Sequence, residues 1–341
     1  MSTLPGRTPP AAPPIPLSIL DLCPIVQGGT AAQALQQSLL LAQLGERLGF
    51  RRFWLAEHHG MPGIASAATA VVMAHVAAGT STIRIGAGGV MLPNHSPLVI
   101  AEQFGTLESL HPGRIDLGLG RAPGSDPRTA RALRRNLDTD PDAFPQDVME
   151  LMAYLDAPER QPVRAVPGAG LSIPIWILGS SLFGAQLAAA LGLPYAFASH
   201  FAPAQVLDAI AIYRAHFKPS ARLARPQVML GVNVIAADTD EQARWLATSI
   251  QQAFVNLRSG RPAPLPPPVA GYADALEPPQ RALLDSVLAF SAIGSPQTVR
   301  EQLAALVART QPDELMVTAQ VYDAAARRRS FELLAEVWPL G

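Results

Sequence analysis

From Leu17 onward the chain alternates short apolar runs with longer segments of helical period, and this rhythm limits its possible folds more than any other feature. A run that is apolar throughout suits a strand covered on both faces, and a helix between two such strands supplies the crossover that a parallel pair requires. The runs are "PLSILDL" (16–22), "RFWLAE" (52–57), "IRIGAG" (83–88), "RIDLGL" (114–119), "IPIWIL" (173–178), "YAFAS" (195–199), "VMLGVNVIA" (228–236) and "ELMVTA" (314–319), eight in all. Helical segments fall at 30–48, 65–78, 97–110, 182–191, 203–217, 238–257 and 296–308. Thr30, Asp238 and Ser295 can accept from first-turn amides, while Pro97, Pro203 and Pro296 suit a first helical position. This pattern predicts an α/β fold, a (β/α)8 TIM barrel. The competing fold, an open doubly wound sheet, usually carries a glycine fingerprint after its first strand, where this chain has "CPIVQGGTAA".

At 341 residues the chain is long enough for two average domains, yet barrels of this kind run as one, so 17–341 is expected to be a single domain. The preceding "MSTLPGRTPPAAPPIP" (1–16) is too rich in proline for a helix and lacks the apolar stretch of a secretory signal; it is expected to be a loose tail. Two stretches break the rhythm. Residues 120–147 contain a basic helical piece and an acidic turn, and 258–280 are proline-rich and are not expected to form regular structure. As insertions after strands 4 and 7, spanning 121–147 and 258–292, they would stand at the catalytic mouth as lids. With a net charge of −1 and 16% charged residues, the chain offers no basic field for nucleic acid or anionic lipid. No apolar run reaches membrane-spanning length unbroken. Cys23 is the only cysteine, which excludes an intrachain disulfide and suits the cytoplasm. Small molecules and other protein surfaces are the expected partners.

In a barrel, the polar groups at the C-terminal strand ends converge on one mouth. Here they are Glu57 and His58 after strand 2, Asn94 and His95 after strand 3, Arg121 after strand 4, "GSS" after strand 5, and Ser199 and His200 after strand 6. His58 and His59 are adjacent, so on an extended strand they point to opposite faces and cannot share an ion; no HExxH motif is present, and no metal is expected. A histidine at the mouth can exchange protons near neutral pH, or can simply bond a neighbour. In "ILGSSLFGAQLAAALG" (177–192) a strand turns through small residues into a helix whose free amides suit an anion such as phosphate. Arg121 could clamp the same anion, although an ordinary serine cap is an alternative. Gly86, Gly88 and Gly89 point to a flat ligand or a strained peptide against the backbone, or to tight packing.

"FWLAEHH", "GAGGVMLPNHSPLVIAEQFGTLESLHPGRIDLGLGR", "LGSSLFGAQLAAALGLPYAFASHF" and "IGSPQTVREQL" stand in the order found in the bacterial luciferase-like family of flavin-dependent monooxygenases, which the chain resembles from Leu17 to its last strand. The resemblance implies a TIM barrel, usually a homodimer, that binds reduced FMN, or coenzyme F420 in one branch, at its C-terminal mouth. It places His58 at the family's catalytic histidine and Gly88 and Gly89 at a non-proline cis peptide beneath the flavin. Arg121 and Ser181 fall on the phosphate site, with Ser180 and Gly184 nearby, and Asn94 and His95 flank the flavin edge or substrate. Glu57 and His59 remain structural neighbours. Gly120 stands where bacterial luciferase has a reactive cysteine, so light emission is not implied. The implied chemistry is oxidation of a small organic substrate by O2 through a C4a-peroxyflavin, with a separate flavin reductase supplying reduced FMN. F420-dependent hydride transfer and a non-catalytic flavin-binding role are the alternatives. A hydrolytic barrel ranks last, because few acids sit at strand ends.

Overall fold

A computed structural model of the chain describes residues 15–121, 127–133, 143–156 and 162–340. Its strands are β1 (Leu17–Asp21), β2 (Arg52–Leu55), β3 (Arg84–Met91), β4 (Ile115–Gly120), β5 (Ile175–Gly179), β6 (Tyr195–Phe197), β7 (Val228–Ala236), β8 (Ser291–Gly294) and β9 (Glu314–Thr318). The helices are α1 (Ala31–Leu48), α2 (Thr69–Ala78), α3 (Pro97–Leu110), α4 (Pro127–Leu133), α5 (Phe144–Asp156), α6 (Leu182–Leu191), α7 (Val206–His216), α8 (Asp240–Arg258), α9 (Pro278–Val287), α10 (Pro296–Thr310) and α11 (Ala324–Val337). Parallel pairing runs from β1 through β6 to β7, then to β9 and back to β1, closing the eight-stranded (β/α)8 barrel that the rhythm predicted. All eight predicted strands are in the ring. The ninth, β8, lies outside it and extends the far end of β7, with Asn233 opposite Ser291 and Ala236 opposite Gly294.

The two faces of each strand carry different cores, as alternation requires. Ile19, Phe53, Ile85, Leu117 and Ile177 face outward into the main core shared with the helices. Leu20, Trp54, Trp176, Ala196, Met229 and Met316 form a separate cluster within the ring. The helices start where the sequence offers caps. Thr30 and Gln33 make a reciprocal capping box on α1, and the Ser295 side chain accepts from Thr298 N at the start of α10. At α8 the cap is Thr239, which accepts from Gln242 N, one residue beyond the predicted Asp238.

The N-terminal end of the barrel is closed by a buried ionic network. Asp116 accepts from Arg52 at 2.7 Å, from Arg84 at 2.7 Å and from the Trp54 indole at 3.2 Å. Arg52 also donates to Glu314 at 2.9 Å, and Glu314 accepts from Ser18. Each charge has opposite-sign partners, which offsets much of its desolvation.

Contacts with the barrel begin ahead of Leu17: Leu315 N donates to Pro16 O and Trp338 Nε1 to Ile15 O. The rest of the predicted tail, 1–14, lies outside the described residues, as do 122–126 and 134–142 of the first predicted lid. The second, proline-rich stretch does contain regular structure. Leu265 forms a parallel bridge with Val26, and Glu277 and Gln280 box the start of α9, whose Pro278 occupies a first-turn position where a missing N–H costs nothing. Among the described residues no helix is long and apolar enough to cross a membrane.

Candidate active site at the barrel mouth

The floor of the mouth is aromatic. Trp54 and Trp176 meet edge to face with ring centroids 5.5 Å apart, and the room they need comes from missing side chains on neighbouring strands. A Cβ on Gly86 would stand 2.4 Å from Trp54 Nε1. At this position the glycine run therefore serves packing, which decides between the alternatives its sequence left open. Gly89 is equally confined, since a Cβ there would lie 2.7 Å from Gly118 O. The peptide joining Gly88 to Gly89 is cis, and the β3–β4 register shifts between Ala87 and Val90. Beyond this bulge the chain reaches Met91 and a 3-10 turn, Leu92–Asn94, that delivers Asn94 and His95 to the mouth.

Glu57 gathers three donors from two loops. Its Oε1 accepts from His59 Nε2 and from His95 Nε2, both at 2.8 Å, and its Oε2 accepts from Met91 N at 3.1 Å. Burial pushes its pKa upward, yet the bonds and charge of His95, the bond from His59 and the Met91 amide together outweigh this and hold it below the usual carboxylate range. Glu57 is thus ionised at neutral pH. Residues 57 and 59, two apart, reach the same partner, whereas His58 takes the other direction. His58 lies within electrostatic reach of His200 from β6, on the opposite side of the ring. Burial, reinforced by His58, lowers the His200 pKa to about 4. A Cβ on Gly231 would fall 2.1 Å from His200 Nδ1, so only glycine at this point of β7 leaves space for the ring. Asn233 Nδ2 donates to the His200 carbonyl at 2.8 Å and fixes the backbone beside it.

A second group forms at the start of α6. Ser181 is its N-cap in extended conformation (φ −140°, ψ 170°), but its side chain makes no capping bond. The ordinary serine-cap alternative is thereby set aside, and the amides of the first turn are not satisfied by that hydroxyl. Tyr195 Oη donates to Ser181 O at 3.2 Å, and Gly184 packs so closely that a Cβ would be 3.3 Å from Tyr195 Cε2. Arg121 lies over the Phe183 ring, 4.2 Å from its centroid, which brings a guanidinium from the end of β4 to the first turn of α6 beside Ser180 and Ser181.

The predicted residues therefore fall into an anion cradle (Arg121, Ser180, Ser181, Gly184) and a histidine-rich group (His58, His95, with Asn94 beside it), separated along the strand order by the Gly88–Gly89 bulge. Two residues outside the predicted set carry much of the organisation. Glu57 is the hub of the histidine group, a role signalled by its spacing of two from His59; His200 is marked by Gly231, whose importance no sequence pattern reveals.

Comparison with known proteins agrees with this architecture. Residues 17–313 match the family model for luciferase-like monooxygenases. A luciferase-like monooxygenase of Escherichia coli is 54% identical, the alignment covering 95% of this chain and 97% of the relative. The N-acetyl-S-alkylcysteine monooxygenase of Bacillus subtilis is 32% identical over 94% of this chain and 98% of its own length. Among solved structures, apo-MsnO8 superposes with a TM-score of 0.89 at 37% identity, covering 96% of this chain and 99% of that one. More distant in sequence but alike in fold are the oxygenating constituent of the 3,6-diketocamphane monooxygenase of Pseudomonas putida in complex with FMN (TM-score 0.71, 21% identity, 96% and 98% covered) and an F420-dependent secondary alcohol dehydrogenase (TM-score 0.67, 14% identity, 95% and 99% covered). The chain belongs to the luciferase-like monooxygenase family.

Proposed function

We propose that the protein is a monooxygenase that binds reduced FMN at the barrel mouth and, with O2, oxidises a small organic substrate. The observation that carries this is the anion cradle: an N-cap serine whose hydroxyl is not spent on its own helix, at the positive end of α6, with the Arg121 guanidinium alongside. That donor set fits a phosphate monoester. Arg121 and the first-turn amides would hold the phosphate, with Ser180, Ser181 and Gly184 shaping the turn. The bulge at Gly88 and Gly89 would lie against the ring system, with Asn94 and His95 at its edge. When bound, the reduced flavin supplies oxygen activation at its C4a carbon. His58 would be the proton donor and acceptor near that reaction, with the uncharged His200 ring close by. The closed aromatic floor made by Trp54 and Trp176 excludes water from below. Reducing equivalents would arrive from a separate flavin reductase, since "CPIVQGGTAA" after β1 offers no dinucleotide fingerprint. A homodimer in the cytoplasm completes the proposal, by resemblance to the family.

Parallel titrations with FMN, riboflavin and F420 test the cofactor assignment. FMN binding more tightly than riboflavin is the expected result. F420 binding without FMN binding would replace oxygenation by hydride transfer.

A further inference from the structure

We propose that Glu57 is a positioning residue that holds His59 and His95 as Nε2–H tautomers, so that each neutral ring offers a bound molecule Nδ1, an acceptor for an N–H or O–H group. The inference follows from donor and acceptor counts. An ionised carboxylate only accepts, and this one, 2% exposed, faces three groups: His59 Nε2 and His95 Nε2 on Oε1, both at 2.8 Å, and the Met91 amide on Oε2 at 3.1 Å. The amide cannot be anything but a donor. Both imidazoles must therefore carry their proton on Nε2, which leaves Nδ1 as the lone-pair nitrogen.

The same three side chains offer ligand atoms within 4.8 Å of one another, which raises the question of a metal ion. Ligands sharing a tetrahedral zinc at about 2.0 Å would stand roughly 3.3 Å apart. The 2.8 Å spacing is instead that of a hydrogen bond, so protons account for the cluster.

The assignment makes an unusual demand on Glu57→Gln. If the new amide keeps its oxygen toward the histidines, its NH2 meets the Met91 N–H donor to donor. Turned over, its oxygen accepts from Met91 and its two hydrogens point at the two Nε2 atoms, which satisfies all three contacts only if both rings move their proton to Nδ1. The variant is thus expected to reverse the tautomers with little change in shape. What Nδ1 of His95 does for a ligand rests on the flavin assignment above; the tautomers themselves do not.

Ring-nitrogen NMR on the protein without flavin, above pH about 8 where imidazoles are neutral, reads the tautomers directly. His59→Gln and His95→Gln assign the signals. The expected result is Nε2–H at both rings in the wild type and Nδ1–H at both in Glu57→Gln. An Nδ1–H ring in the wild type, rings unchanged in Glu57→Gln, or one equivalent of Co2+ bound through these residues would each overturn the proposal. Adding FMN is then expected to shift Nδ1 of His95 while Nε2 stays in place. FMN that fails to bind contradicts the flavin assignment, whereas FMN that binds without moving Nδ1 overturns the acceptor role.

Discussion

Arg121→Ala separates phosphate recognition from every other contribution to flavin binding. The guanidinium sits at the exposed end of β4, over Phe183 in the first turn of α6, and its removal opens no hole in either apolar core. Only the exposed cation–π contact is lost from the unliganded protein, about 0.5–1 kcal/mol. Toward a phosphate the loss is larger: charge-assisted hydrogen bonds contribute about 1.5–3 kcal/mol, which weakens FMN binding roughly 10- to 150-fold. Riboflavin is the control, since it shares the ring system and lacks the phosphate. Fluorescence titration of wild type and Arg121→Ala with both ligands gives a two-by-two cycle in which the loss belongs to FMN alone. If riboflavin affinity fell by the same factor, or FMN affinity stayed within twofold of wild type, Arg121 would not be a phosphate ligand and the cradle assignment would fail.

His58→Ala is expected to leave FMN affinity within a few-fold while changing the rate at which bound reduced FMN reacts with O2, as stopped-flow absorbance would show. Asp116→Asn removes the charge facing Arg52 and Arg84 at the closed end of the barrel and is expected to lower unfolding stability by about 3–5 kcal/mol in urea titration, with the mouth unaffected. His200 gives a pH signature. Its folded pKa of about 4 lies below the unfolded value of about 6.5, so its contribution is full above 6.5 and is lost as pH falls toward 4. Between pH 8 and pH 5 the wild type should lose about 2 kcal/mol more than His200→Gln, measured by denaturation at both pH values.

The ring strands were legible because each is a continuous apolar run flanked by helical periodicity; "VMLGVNVIA" became β7 over the same nine residues. Ser291–Gly294 escaped because four small residues at the outer end of β7 carry no apolar run, their strand character being imposed by pairing with Asn233 to Ala236. Similarly, α9 was hidden behind Pro278, which reads as a breaker yet occupies a first turn. At the mouth, adjacency correctly keeps His58 and His59 from one partner, but it says nothing of Glu57, whose contacts with Met91 and His95 depend on how the next strand bends away at Gly88 and Gly89. Gly231 shows the same limit: its need for glycine arises from the His200 ring, which comes from the neighbouring strand.

The proposed function turns on what happens when protein-bound reduced FMN meets oxygen. Rapid mixing of that complex with oxygenated buffer, followed by flavin absorbance, is expected to show oxidation that is clearly slower than that of free reduced FMN and that proceeds through a transient distinct from both reduced and oxidised flavin. Oxidation indistinguishable in rate and spectrum from that of free flavin would contradict the oxygenase assignment.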